Sequence, residues 1–174
     1  WFQEIRGYNL IEMKKIISEH AKIDHHIISK YSLMSILKNL KIDLIWEIIW
    51  AYQQHFNIKA KESQNMNLDQ LLEIDKQGFV AIGAHTQTHP ILANEDDERS
   101  QTEIVDSIKG LRNILNHEIT CFAYPNGGPK LDFGGREMDI LKANNCQVAF
   151  STETKNFAIT NNPLSVPRYG LSYG

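Results

Sequence analysis

The stretch Gly78-Phe79-Val80-Ala81-Ile82-Gly83-Ala84-His85-Thr86-Gln87-Thr88-His89-Pro90 governs the reading of the whole chain. Its apolar run, bounded by glycines at 78 and 83, reads as a short buried strand. His85 and His89 follow where that strand ends. Two imidazoles four positions apart fall on one face of a helical turn, so both can offer a ring nitrogen to one metal ion. In parallel α/β folds this end of a strand is where active sites collect. Chance alone pairs some of seven histidines at this spacing, so the weight comes from context: a strand before, a small-residue turn between, Pro90 after. Zinc-peptidase chemistry is excluded, because it needs His-Glu-x-x-His and Thr86 stands where the general-base Glu would be.

Upstream of the quoted stretch, Asn67 reads as the N-cap of a helix over residues 68–76, with Gly78 as its stop. Residues 1–58 carry apolar side chains at helical spacing: Leu33, Ile36, Leu37 and Leu40 on one stripe, Trp46, Ile49 and Trp50 on a second. Such stripes are core or packing faces far more often than ligand sites; a sugar-stacking platform of Trp46, Trp50 and Tyr52 is the weaker reading. Residues 59–65 read as a polar loop. Downstream, Asn94-Glu95-Asp96-Asp97 looks like an acidic helix start, and Ile104, Val105, Ile108, Leu111 and Leu115 carry that helix to about Asn116. A strand over residues 119–124 then breaks at Pro125-Asn126-Gly127-Gly128-Pro129, followed by a helix over 136–144, a strand over 147–151 and a short one over 164–168. This alternation predicts the α/β class with a parallel sheet, on which the His pair and the Tyr124-Pro125-Asn126 turn open at one rim. Residues 1–65 form a helical region or insertion, and residues 66–174 the α/β part.

A chain of 174 residues can bury a real core, although an intact (β/α) barrel usually takes about 250. The formal charge of −3, with signs interspersed, supplies no basic stripe and argues against a nucleic-acid partner. No apolar run is long enough for a membrane span, and nothing at the N-terminus reads as a signal peptide; because the chain opens at Trp1 without a Met, the natural start is expected upstream, and the cytoplasm and the cell envelope both stay open. Charge and composition do not declare an oligomeric state. Cys121 and Cys146 lie in apolar stretches and read as buried thiols.

The run from Leu71 to Leu92, with the His pair at its centre, resembles the second motif of the polysaccharide deacetylases, the chitin-oligosaccharide deacetylase-like carbohydrate esterases. Phe122-Ala123-Tyr124-Pro125-Asn126-Gly127 resembles their third motif. Ala149-Phe150-Ser151-Thr152 and Val166-Pro167-Arg168 are similar to the later part of such domains. The likeness runs from about Asn67 to Arg168, while residues 1–60 resemble only loosely an insertion found in members that modify surface polysaccharides. The resemblance implies a partial or distorted (β/α) barrel and a divalent metal, zinc foremost, held by an Asp and two His. It implies removal of N-acetyl groups from the amino sugars of a polysaccharide or oligosaccharide, with an N-acetylated glycan as partner. His85 and His89 take the places of the two His ligands. Tyr124, Pro125 and Asn126 line the sugar and oxyanion pocket, with the oxyanion donor after the proline at Asn126.

The chain also departs from that pattern. No Asp-Asp pair at a strand end precedes His85, so the base and third ligand are expected upstream of Trp1; Asp96-Asp97 opens a helix instead. Ala123 stands where the family often has Arg, and the closing Leu-x-His motif is absent, His117 preceding the third motif. These departures motivate an alternative: a catalytically inactive deacetylase-like domain that binds a glycan or a protein. Asp132 as a substitute ligand and Arg168 as a partner for a carboxylate or sugar hydroxyl are minor candidates, against a solvated carboxylate and a structural ion pair. The rings of His25 and His26 point to different helix faces and do not suit a shared metal.

Overall fold

The computed structural model describes residues 1–62, 65–158 and 162–169. The chain divides into two compact units, Trp1–Asn65 and Met66–Gly174.

The first unit is helical, with α1 (Leu10–Ala21), α2 (His25–Ser29), α3 (Leu33–Leu37) and α4 (Ile42–Phe56). Side-chain caps start the first three: Asn9 accepts from the N–H groups of Ile11 and Glu12, Asp24 from His26, and Ser32 from Ser35. The interior is filled by Met13, Ile17, Ile28, Leu37 and the arc Ile42, Ile45, Ile48, Ile49 and Tyr52 of α4. Tyr8 stacks on Tyr52 at 4.2 Å, and the Asn9 N–H donates to Tyr52 Oη at 2.7 Å. The expected packing stripe of Trp46 and Trp50 is corrected: these rings are 41% and 62% exposed. The isoleucine arc occupies the interior, which leaves the adjoining tryptophan positions on the solvent side, away from buried Tyr52. Of the loop expected over residues 59–65, residues 63 and 64 lie outside the described residues.

The second unit begins with α5 (Leu68–Gln77), started by a reciprocal capping box between Asn67 and Gln70 and ended by Gly78 at φ 71°. Helix α6 (Asp97–Leu115) is capped by Asp96 and buries Ile104, Ile108 and Leu115 together with Ser100, Glu103 and Ser107. Strands β1 (Cys121–Ala123) and β2 (Val148–Phe150) pair in parallel, Phe122 opposite Ala149, and α7 (Gly135–Ala143) connects them. Single parallel bridges extend this pair on both sides, Ala84 to Phe122 and Val166 to Phe150. Four parallel segments therefore run in the order Ala84, β1, β2, Val166. Ala84, Phe122, Tyr124, Phe133, Leu141 and Ala149 form the core with the apolar face of α6.

Against the expected partial or distorted barrel, the described residues supply a mixed helical unit with this short parallel arc. The buried strand expected over residues 79–83 is corrected as well. Phe79 is 89% and Val80 52% exposed, and regular pairing begins only at Ala84, whose N–H donates to Cys121 O and whose carbonyl accepts from the Ala123 N–H, both at 2.9 Å. A strand is held by its lateral neighbours, and among the described residues this segment has one on a single side. The strand expected over 164–168 becomes a 3-10 turn, Pro163–Ser165, before the bridge at Val166. Pro163 presets the helical φ, and the Asn162 side chain accepts from the Leu164 N–H. Both cysteines are free; Cys146 is buried, and burial pushes its thiol up to about 11. Among the described residues no helix is long and apolar enough to cross a membrane.

Candidate metal and active site

The bridge at Ala84 delivers His85 to the side of β1. Its Nδ1 lies 2.6 Å from Ala123 O. A carbonyl oxygen only accepts, so Nδ1 carries the proton, and in the neutral ring Nε2 keeps its lone pair. Metal-binding imidazoles are oriented in this way, one ring nitrogen tied to the protein and the other turned to the ion. The His89 ring stands beside it, centroid to centroid 4.9 Å and nearly perpendicular at 82°. Burial, and then the neighbouring His85, push the His89 imidazole below its ordinary value, favouring the neutral form that a ligand must have. His85 is exposed and His89 half-buried, so neither ring turns into the core.

The two rings do not meet across a helical turn, as their spacing suggests. Residues 85–89 form a loop in which Thr86 and His89 adopt left-handed conformations, φ 64° and 63°, and the His89 N–H donates to Thr86 Oγ1 at 3.2 Å. Left-handed backbone at residues other than glycine costs about 1–2 kcal/mol each. Glu103, on the buried face of α6 and 2% exposed, offsets that cost. Its Oε2 accepts from the N–H groups of Gln87 and Thr88, each at 2.9 Å, and its Oε1 from Thr88 Oγ1 at 2.6 Å. Hydrogen bonds to a charged group contribute roughly 1.5–3 kcal/mol each, enough to outweigh the strain. Sequence reasoning missed Glu103. It lies one turn from Ser100 and Ser107, to one side of the apolar stripe of Ile104, Ile108 and Leu115, so the hydrophobic periodicity of α6 carried no signal for it.

Two clefts flank His85. One, of about 360 Å³, is lined by Gly83, Ala84, His85, Cys121 and Phe150; the other, of about 350 Å³, by His85, Gln87, Ser107, Gly110 and Leu111. Each is at the small end of the range of ligand pockets.

The turn after β1 divides in character. The Tyr124 side chain is fully buried, stacked on Phe133 at 3.5 Å and 4°, with Oη donating to Leu164 O at 2.8 Å. Burial drives its phenol well above the ordinary range, so the hydroxyl stays a proton donor in the core and does not face the rim. Pro125 is buried too, its carbonyl accepting from the Gly127 N–H at 2.6 Å. Asn126 is left-handed at φ 55°, and its Nδ2 is buried without a hydrogen-bond partner among the described residues. An orphaned buried donor of this kind is what a ligand acceptor satisfies. Gly127, at φ 79°, closes the turn where a Cβ would stand 3.0 Å from Tyr124 O.

The remaining candidates serve elsewhere. Asp132 Oδ2 accepts from the Gly128 N–H at 2.7 Å and holds the following turn. Asp96 caps α6, and Asp97 pairs with Arg136 at 2.8 Å. His117 bonds the Asp75 carboxylate at 2.9 Å, and Arg168 is exposed. His25 and His26 lie exposed at the start of α2. Among the described residues no group of three or more His, Cys, Asp or Glu is placed to hold a metal ion. His85 and His89 fit such an ion as two donors of a larger set: their rings are adjacent and one is locked in the tautomer that binds.

Comparison with known proteins gives the family. Residues 51–139 match the polysaccharide deacetylase family, and the chain belongs to it. A solved structure of the Streptococcus pyogenes deacetylase PplD in complex with acetate is similar, with a TM-score of 0.55 and 23% sequence identity over 73% of this chain. That likeness shows a shared fold, and this chain spans 57% of the length of that one. No curated protein matches the chain.

Proposed function

We propose that the chain carries the two-histidine part of a metal-dependent site that removes N-acetyl groups from the amino sugars of a glycan. The observation that carries this reading is the His85 Nδ1 bond to Ala123 O, with the His89 ring 4.9 Å away. A bound divalent ion, zinc foremost given imidazole and carboxylate donors, supplies a Lewis acid for the amide carbonyl and a lowered pKa for water. The chain's own groups do the rest. His85 and His89 would hold the ion through ring nitrogens, His85 oriented by its Nδ1 bond to Ala123 O, and the clefts beside His85 would admit an acetamido group. Asn126 Nδ2, without a partner among the described residues and set in the turn after β1, steadies the developing oxyanion or a sugar hydroxyl. On this reading the third ligand and the proton acceptor come from outside the described residues, and the parallel arc is part of a distorted barrel.

The test is acetate release from an N-acetylglucosamine oligomer by the intact protein. His85→Ala and His89→Ala are each expected to lower the rate by at least about a hundredfold, since each removes a ligand. Unchanged release in either variant overturns the assignment. Glycan binding without turnover by the unaltered protein leaves the inactive binding domain as the reading.

A further inference from the structure

We propose that Glu103 is a positioning residue for the His85 and His89 site, its buried carboxylate setting the loop conformation that brings the two rings together. The proposal rests on the reading of the His pair as a metal site. The grip falls between the two left-handed residues: Thr86 and His89 are the points where the backbone turns, and the N–H groups of Gln87 and Thr88 between them both end on Oε2. The second oxygen takes the Thr88 hydroxyl, so both carboxylate oxygens serve this loop. Arg99, one helical turn before, reaches Oε1 at 3.2 Å from a side chain one-third exposed.

A structural role for α6 alone does not account for the residue. Burying a carboxylate is costly unless it is satisfied, and an apolar side chain at 103 packs the helix without that cost. What an apolar side chain fails to do is hold two main-chain donors and a hydroxyl in one arrangement. The loop joining the two candidate ligands is thereby anchored to α6, in addition to the bond that its own Thr86 accepts from the His89 N–H.

The test uses the intact protein and zinc binding by calorimetry, with cobalt absorption as a report on ligand geometry. Glu103→Ala is expected to weaken zinc binding about ten- to a hundredfold, the usual effect of losing an orienting partner. Glu103→Gln keeps one oxygen for the two N–H groups and an amide that donates to the Thr88 hydroxyl, and is expected to stay within about threefold of the parent. Thr88→Val removes one bond of three and is expected to weaken binding several-fold; it decides the matter if Glu103→Ala does not fold. Two further readouts separate positioning from stability. Amide exchange at Gln87 and Thr88 in metal-free protein should accelerate in Glu103→Ala, and its cobalt spectrum at saturation should differ from the parent's. If the parent binds zinc and His85→Ala abolishes this, yet Glu103→Ala and Thr88→Val bind as the parent does with unaltered cobalt spectra, the proposal fails while the site stands. If the parent binds no zinc, or His85→Ala binds as well as the parent, the site reading fails and takes the proposal with it.

Discussion

Replacing Tyr124 by Phe separates a core role from a substrate role at the turn after β1. The substitution removes one oxygen and leaves the ring, so the 3.5 Å stack on Phe133 is preserved. What is lost is the donor to Leu164 O, 2.8 Å away in a region with no access to water. A buried carbonyl left without its donor costs about 1–3 kcal/mol, and relief from burying a hydroxyl returns part of that, so a net loss of about 1–2 kcal/mol is expected. For a unit of this size each kcal/mol corresponds to roughly 4 °C in Tm. The three tryptophans, Trp1, Trp46 and Trp50, all lie in the first unit, so their fluorescence is the wrong probe. Amide exchange at Tyr124 and Ser151, whose N–H groups donate to Phe150 O and Val166 O, follows the right region. Urea unfolding by far-UV circular dichroism should show a lower midpoint at unchanged slope. Acetate release per folded molecule should be unaffected. A variant as stable as the parent to within about 0.3 kcal/mol, but with release abolished, refutes the placement of this hydroxyl in the core.

Two further expectations concern the frame around the site. Gly83→Ala places a Cβ 3.0 Å from Cys121 O and 3.1 Å from Cys121 Cβ, so it should push the chain at Ala84 off β1. Overpacking of this kind costs about 1–3 kcal/mol, and amide exchange at Ala84 and Ala123 should speed up. The His117 imidazole is held above its ordinary value, first by the Asp75 carboxylate and then by Glu118 O. With the folded value raised, this contribution to stability is fully present below about pH 6.5 and is lost as pH rises through the folded value. Asp75→Asn should therefore lower Tm at acid pH and make little difference at alkaline pH; a Tm difference independent of pH counts against the pair.

The parts of the fold that local chemistry specifies could be read from the residues. Asn67 and Gly78 delimit α5 because capping groups act within a turn of the helix end. The apolar residues of 119–124 mark β1, where Phe122 and Tyr124 are buried and Ala123 between them is half-exposed. The spacing of His85 and His89 brings their rings together, although a left-handed loop and not a helical face does so. What escaped notice depends on neighbours distant in sequence. The run Phe79 to Gly83 has the composition of a buried strand, but pairing is a property of the adjacent segments and none lies on its outer side among the described residues. Helix α4 is apolar over most of its circumference, so periodicity does not decide between the isoleucine arc and Trp46 with Trp50. Glu103 and Glu137 were hidden by the general tendency of acids to face water. Each is buried because a backbone donor awaits it, Gln87 and Thr88 for the first and Gly134 for the second.

The contact between His85 and Ala123 has a bearing on how position 123 can vary. Since the acceptor is a main-chain oxygen, every amino acid brings the same group, and the alanine at this place leaves the imidazole tautomer untouched. Exchange for a long cationic side chain would alter the charge at the rim without releasing the ring. Proline is the exception: the same residue's amide hydrogen is spent on Ala84, and losing it would part the loop from the strand that selects which nitrogen is bare.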